Sequence, residues 1–247
     1  MAARKFRLDR FLSSKTGIPK GDIRLLLAQK RVVIDGEIAT SMQAPVNYFS
    51  CISLDGEILQ NRQPNYIMLH KPPGILSATA DQGHKTVIDS LRESGLTADV
   101  IADLHIVGRL DLHSSGLLLL TNDSDWSRRL MSPEHKIAKV YEVALERPIT
   151  DACIQAFAEG MYFPFENSTT LPAKLERLSE TQARVTLMEG KYHQIKRMFG
   201  RFRNPVLGLH RLSIGAIRLD PELKAGAFRM LSESEYRSVG HAESQHH

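Results

Sequence analysis

The chain of 247 residues has only two cysteines and no long apolar run. Cys51 and Cys153 stand far apart and in no ligand or redox spacing, so we expect reduced thiols, a reducing cytoplasmic compartment and no disulfide framework. No apolar run approaches the roughly 20 residues that cross a membrane, and the basic N-terminal segment lacks the apolar stretch of a signal peptide. His105, His113 and His135 fit no usual ligand spacing, so no metal site is expected. A complete glycine-rich dinucleotide fingerprint is also missing.

The formal net charge is only +4, but the positive charge is concentrated in two segments. Residues 1–31 hold nine lysines and arginines against two acidic residues, and residues 190–219 hold seven with no acidic residue. Two separate basic clusters are typical of a protein that binds phosphates. The alternative is two solvated faces with no ligand.

The first 60 residues have the pattern of a small separate domain. Apolar spacing predicts a helix over 8–16 that Gly17 ends, and a second helix that begins near Pro19. Asp35-Gly36 then joins two short strands in a predicted hairpin, and residues 52–59 repeat that pattern. Two basic helices followed by small strands resemble the S4-type RNA-binding domain. The polar residues 61–65 are the predicted linker.

Residues 66–240 interleave strands and helices without regular alternation. This order favours an α+β fold with a mixed, largely antiparallel sheet flanked by helices over a doubly wound parallel sheet. The expected tail, 241–247, has no apolar content and is predicted to be disordered. The predicted strands are 66–69, 75–78, 105–109, 116–120, 140–145, 173–178, 183–188 and 206–209, and the predicted helices are 86–93, 125–131, 151–158 and 192–202, with a short final helix after Ser232.

One carboxylate, Asp111, lies beside an arginine and a glycine, between two runs that are apolar enough to be buried strands. Charged residues next to core strands are rarely found unless they are paired or functional. Asp111 is therefore the first candidate for a catalytic group, and Arg109, two residues away, is predicted to point to the same side of the strand and to position it. The alternative is a turn aspartate that closes a hairpin.

The segment that contains Asp111 reads VGRLDLHSSGLLLLTND, and it resembles the active-site motif of the pseudouridine synthases, most closely the small-subunit ribosomal family. Two further segments match in family order, Lys139-Val140-Tyr141 and the string EGKYHQIKRMF that ends at Phe199. The resemblance implies that Asp111 attacks the sugar or the base or removes a sugar proton, three options that the sequence leaves open. It also implies that Tyr141 stacks on an extruded uracil and that Lys196 pairs with Asp111. The alternatives are a structural strand tyrosine and a helix with a basic outer face.

A third match, His70-Lys71-Pro72-Pro73-Gly74, resembles a turn that usually reads Asn-Lys-Pro-x-Gly. Lys71 is predicted to contact a phosphate there. The complete set of residues predicted to contact RNA is Arg4, Lys5, Arg7, Arg10, Lys20, Arg24, Lys30, Arg31, Lys71, Lys191, Arg197 and Arg201.

The resemblance implies an isomerase that converts one uridine of 16S ribosomal RNA to pseudouridine, in a partly assembled small subunit. The reaction oxidises nothing and transfers no group away from the nucleotide, so no cofactor is expected. A monomer is expected. Two other functions stay open: a pseudouridine synthase that acts on 23S or transfer RNA, and a non-catalytic RNA-binding factor for ribosome assembly.

Overall fold

The structure is a computed structural model that describes residues 5–240. The predictions for Arg4 and for the tail 241–247 concern residues outside that range. The chain divides into two compact units between Pro64 and Asn65, within the polar segment 61–65. Of the helices within residues 5–240, none has both the length and the apolar character that crossing a membrane requires.

The N-terminal unit packs two helices against short strands. Its core contains Leu8 and Leu12 from the first helix, Ile23 from the second, and Val32 and Ile52 from the strands. Four of the strands form a sheet in the order β3-β2-β5-β6, and β1 pairs separately with β4. The elements are β1 (Phe6–Arg7), α1 (Leu8–Thr16), α2 (Lys20–Ala28), β2 (Val32–Ile34), β3 (Glu37–Ile38), β4 (Pro45–Val46), β5 (Ile52–Leu54) and β6 (Glu57–Gln60).

The residues that end a helix or form a turn in this unit have the conformations that the sequence predicts. Gly17 ends α1 in the left-handed conformation at φ 75°, and its N–H bonds to the carbonyl of Ser13. Asp35 and Gly36 both have positive φ, 51° and 88°, as a tight hairpin turn between β2 and β3 requires. The predicted helices and hairpins are confirmed, whereas β1 and β4, each of two residues, are too short to leave a periodic pattern.

The C-terminal unit is built on one large sheet. Its strand order is β13-β14-β10-β15-β9-β7-β17, with β8 paired to β9 and β16 paired to β15. All of these pairs are antiparallel except β9 with β15, which is parallel, so the predicted mixed, largely antiparallel α+β fold is confirmed. The strands are β7 (Tyr66–Lys71), β8 (His105–Val107), β9 (Ser115–Thr121), β10 (Lys139–Leu145), β11 (Tyr162–Phe163), β12 (Ser168–Thr169), β13 (Lys174–Arg177), β14 (Gln182–Leu187), β15 (Val206–Ile214), β16 (Ile217–Arg218) and β17 (Phe228–Met230).

Helices cover both faces of this sheet. Strand β9 is apolar at consecutive positions because Leu118 and Leu120 enter one core cluster while Leu117 and Leu119 enter the other. The first cluster packs against α3, α6 and α7, and the second against α5 through Trp126. The helices are α3 (Val87–Glu93), α4 (Ala98–Ala102), α5 (Ser124–Met131), α6 (Asp151–Glu159), α7 (Gln194–Gly200) and α8 (Glu233–Arg237).

Three local predictions for this unit are wrong or incomplete. Residues 75–78 form no strand, because the hydroxyl of Ser77 bonds to Leu110 and only Leu76 makes a bridge, to Thr86. Helix α7 begins at Gln194 instead of residue 192, because His193 has a left-handed φ of 46°. Strand β17, at the edge of the sheet beside β7, was not predicted, since three residues are too few for an alternating pattern to show.

Candidate active site

Asp111 lies on a loop, residues 108–114, that joins β8 to β9. Gly116 lets the loop enter β9 close to β15, because a Cβ on Gly116 would lie 2.3 Å from the carbonyl oxygen of Arg211. Since β8 ends at Val107, Arg109 and Asp111 do not share a strand, and the predicted reason for their common direction is wrong. The side chain of Arg109 is exposed, and it forms no hydrogen bond or ion pair with another residue in the range 5–240.

Lys71 holds the backbone of this loop from beneath. The side chain is fully buried, so the predicted phosphate contact is wrong. Burial lowers the pKa of Lys71 to about 8, against the opposing charge of Asp111. The ammonium is satisfied by main-chain oxygens: Nζ donates to the carbonyls of Pro72 at 3.1 Å, Asp111 at 3.1 Å, Leu112 at 3.2 Å and Ser114 at 2.8 Å.

Arg211 supports the start of the same loop. It is 1% exposed, and its Nε donates to the carbonyl of Leu117 at 2.8 Å. Its two terminal nitrogens lie 3.3 Å and 3.4 Å from the carbonyls of Gly108 and Arg109. We call Lys71, Ser77 and Arg211 the loop clamp, because each bonds to main-chain atoms between 108 and 117.

The sequence contained a signal for Arg211 that the prediction did not use. Arg211 belongs to the basic cluster 190–219, which was interpreted as a surface. It also lies within the apolar strand segment 206–214, where a single cation is more consistent with a buried role than with a solvated face.

The carboxylate of Asp111 lies between two basic side chains from the segment that opens α7. Lys196 Nζ is 3.0 Å from one oxygen, as the family resemblance predicts, and His193 Nε2 is 3.3 Å from the other. The three side chains are 28% to 36% exposed, so they are accessible from solvent. His193 was not predicted as a site residue, and its left-handed backbone is what turns the ring toward Asp111.

A buried amide braces the loop that precedes α7. The side chain of Gln194 is 4% exposed, accepts a bond from the N–H of Lys191 at 3.0 Å and donates to Glu189 at 2.7 Å. These bonds tie together Glu189, Lys191 and Gln194, which lie on either side of His193 in the loop before α7.

Tyr141 forms part of the wall beside this carboxylate. It lies on β10 opposite Arg211 of β15, is 8% exposed, and lines the same cleft as Asp111. The cleft has a volume of about 630 Å³. We call Asp111, Tyr141, His193 and Lys196 the cleft cluster. A planar ring could enter this space and meet the side chain of Tyr141 and a carboxylate that lies between two basic groups.

The other predicted RNA contacts fall into two groups. The described members of the N-terminal cluster are all exposed, although Arg7 pairs with Asp9 at 2.7 Å and Arg31 pairs with Asp55 at 2.5 Å. In the C-terminal unit, Arg201 is exposed, whereas Lys191 and Arg197 are partly buried and bonded to the hairpin formed by β11 and β12.

The donor set of the cleft is unsuited to a metal ion. Among the residues that the structure describes, no three His, Cys, Asp or Glu side chains lie together as ligands do. The neighbour of Asp111 is an ammonium, which competes with a cation for the same carboxylate. The arrangement is suited to nucleophilic or general-base chemistry by a carboxylate.

Comparisons with known proteins agree with this geometry. Residues 65–200 match the family described as RNA pseudouridylate synthase. The ribosomal small subunit pseudouridine synthase A of Pseudomonas aeruginosa is 47% identical over 234 residues, which cover 94% of this chain and 100% of the relative. The protein of the same name from Yersinia pestis is 42% identical, with 95% and 98% of the two chains covered.

A solved structure has the same architecture over nearly the whole chain. This crystal structure of a pseudouridylate synthase is 36% identical, covers 95% of this chain and 99% of its own, and has a TM-score of 0.68. With a family match over more than half of the sequence and relatives that align almost end to end, this chain belongs to the RNA pseudouridylate synthase family, whose members are isomerases that convert uridine to pseudouridine.

Proposed function

We propose that this protein converts a specific uridine of small-subunit ribosomal RNA to pseudouridine, with Asp111 as the essential carboxylate. The observation that carries the proposal is the Asp111 carboxylate held between Lys196 and His193 in a cleft that Tyr141 lines. Support for the small-subunit target comes from the two relatives, which are named for that subunit.

Each member of the cleft cluster has a proposed role in this reaction. Asp111 acts as nucleophile or base on a uridine that has rotated out of the RNA stack, and Lys196 pairs with the carboxylate and orients it. Tyr141 packs against the extruded uracil, which offsets part of the few kcal/mol that extrusion costs. His193 fixes the second carboxylate oxygen, so that one oxygen faces the substrate in a defined direction.

Arg109 has a different proposed role from the one that its spacing indicated. Its exposed guanidinium lines the cleft and donates no hydrogen bond to the described residues. It is therefore available to a phosphate of the bound RNA, whereas Asp111 already has its two donors. Arg109→Gln should raise the RNA concentration needed for half-maximal rate and leave the maximal rate nearly unchanged.

The test is release of tritium from RNA labelled at carbon 5 of uracil, with 16S RNA, small-subunit assembly intermediates and 23S RNA as substrates. We expect release from small-subunit substrates alone, and a loss of roughly 10³-fold or more in kcat for Asp111→Asn. Asp99→Asn, the same change at an exposed site on α4, is the matched control and should behave as wild type.

Each alternative function gives a different result in that assay. Release from 23S RNA would support a pseudouridine synthase and would reject the small-subunit target. Tight binding of 16S RNA by the wild type without release from any substrate would favour the non-catalytic assembly factor, for which the cleft cluster has no evident use.

The N-terminal unit is proposed to bind RNA through the exposed cations of α1 and α2 and their flanks. We expect the triple variant Lys20→Gln, Arg24→Gln, Lys30→Gln to weaken 16S RNA binding and to reduce the slope of log K against log salt by about 2, since each contact to single-stranded phosphate contributes about 0.7. Lys85→Gln, Lys174→Gln, Lys224→Gln makes the same charge change in the C-terminal unit. An equal loss of slope in both triples would reject a specific role for the N-terminal unit.

A monomer in the cytoplasm is also part of the proposal.

A further inference from the structure

Two aromatic side chains, one lining the cleft and one on the hairpin that is bonded to the loop before α7, are exposed to an unusual degree. Phe165, on the turn between β11 and β12, is 101% exposed, and Tyr192, just before α7, is 74% exposed. An aromatic side chain can bury roughly 150–250 Å² in a contact, so leaving two in solvent beside one site indicates a binding surface. We call Phe165 and Tyr192 the aromatic rim.

The two segments that carry the aromatic rim are bonded to each other. Arg197 Nη1 donates to the carbonyl of Tyr192 at 3.1 Å and pairs with Glu166, the residue after Phe165. Lys191 Nζ donates to Ser168 Oγ and to the carbonyl of Thr169, each at 3.0 Å. These bonds hold the hairpin of β11 and β12 against the loop before α7, so the two segments that carry the exposed rings have defined positions.

Tyr192 also continues the cleft cluster outward. Its ring stacks on His193 with centroids 3.9 Å apart and planes within 20°, and His193 contacts the carboxylate of Asp111. A line of contacts therefore runs from the reactive carboxylate through two stacked rings to solvent. The outer part of Tyr192 is available to a further flat group.

The charge around this surface favours a nucleic acid over an apolar protein segment. Arg109 and Lys191 line the same cleft as Tyr192, and Arg109 is exposed without a partner among residues 5–240. When a uridine leaves the stack, its neighbours lose a stacking partner, and exposed aromatic side chains replace such partners in proteins that bind unpaired RNA.

We propose that the aromatic rim stacks on the unpaired bases that flank the target uridine and thereby selects an unpaired sequence context. The inference rests on the proposed function for its RNA substrate. The rim residues touch the neighbours of the reacting nucleotide, so they affect binding of the RNA and leave the chemical step to the cleft cluster.

The test compares Phe165→Ala and Tyr192→Ala with Phe165→Trp and Tyr192→Phe, which keep a flat ring. Leu178→Ala is the control, because Leu178 is 47% exposed at the end of the sheet away from the cleft. Tritium release from 16S RNA gives kcat and KM, and filter binding in the Asp111→Asn background gives the affinity without turnover.

We expect each alanine variant to bind 16S RNA roughly tenfold more weakly, as loss of one stacked base predicts. KM should rise by a similar factor in both alanine variants, with kcat within about twofold of wild type for Phe165→Ala, which touches no residue of the cleft cluster, while the ring-keeping variants and Leu178→Ala stay close to wild type. The salt dependence of binding should keep its slope, because stacking releases no counterions.

Three results would overturn the proposal: alanine variants that bind as wild type does, a Tyr192→Phe variant as weak as Tyr192→Ala, or a reduced salt slope. Normal RNA binding by Phe165→Ala with loss of self-association or of a protein complex would assign the rim to a protein partner instead. Failure of the proposed function has a separate signature, since the wild type would then release no tritium, whereas the binding comparison still decides the role of the rim.

Discussion

The loop clamp and the cleft cluster both act on residues 108–114, but they bind different parts of the loop. The clamp is buried and bonds to main-chain oxygens, four of them through Lys71 alone. In the cleft cluster, His193 and Lys196 are partly exposed and lie against the carboxylate of Asp111. Each group contains a lysine from a motif that resembles the same family. The difference shows that a lysine near Asp111 can bond to the backbone or pair with the carboxylate, depending on its burial.

Removing the lysine of the cleft cluster should have the largest effect on turnover. In Lys196→Met the carboxylate loses its cation, and we expect kcat to fall roughly 10³-fold, the scale of one well-placed charge in a catalytic site. The midpoint of thermal unfolding should move by less than about 2 °C, because this ion pair is partly exposed. Tritium release and thermal denaturation measure the two quantities. Lys196→Arg retains the charge and should recover most of the rate.

Removing the lysine of the loop clamp, Lys71, should affect stability more than the Lys196 variant does. Lys71→Met leaves four carbonyls without their donor, so we expect the free energy of unfolding to fall by about 3 kcal/mol. The single tryptophan, Trp126, is 1% exposed in the C-terminal unit, and its fluorescence during urea unfolding reports on that unit. Lys224→Met, the same change at an exposed site, is the control. Equal stability of the two variants would mean that the clamp contributes nothing to the fold.

The sequence predicted the contact of Lys196 with Asp111 but not the burial of Lys71. Patterns of apolar residues and turn residues give the fold, because they reflect burial and backbone conformation directly. The pairing of Asp111 with Lys196 followed from motif resemblance. Burial of Lys71 did not, because a cation that bonds to main-chain oxygens leaves no partner residue to be seen in the sequence, and the one signal for burial of Arg211, its place within an apolar strand segment, was not used. His193 was missed for a related reason, since its contact depends on one left-handed residue.

Geometry within the loop clamp can be tested separately from charge. Arg211→Lys keeps the charge, but an ammonium cannot reach Leu117 and Gly108 at once as the guanidinium does. We expect a loss of about 1.5 kcal/mol in the free energy of unfolding and a drop of a few fold in kcat. Arg218→Lys, on an exposed position of β16, should change neither. Full stability in Arg211→Lys would show that the clamp needs only positive charge near the loop.

Protonation of Lys71 should give the smallest effect and the most specific one. Its pKa is lowered to about 8 by burial, whereas an unfolded lysine has a pKa of about 10.4. Between those values the unfolded chain holds a proton that the folded chain has released, so the contribution of Lys71 to the free energy of unfolding rises with pH in that window. The ammonium that serves the four carbonyls is lost over the same window. Tritium release should therefore fall as the pH rises through that window.

Activity and stability should consequently move in opposite directions as the pH rises, which few single groups can cause. Lys71→Arg separates this residue from other groups that titrate in the same range, because arginine keeps its charge at every pH tested. The alkaline fall in tritium release should be absent in that variant, as should the matching rise in the free energy of unfolding. If the alkaline fall in tritium release persists unchanged in Lys71→Arg, its cause is a group of the substrate or of the cleft cluster. The loop clamp would then be a fixed support that does not titrate.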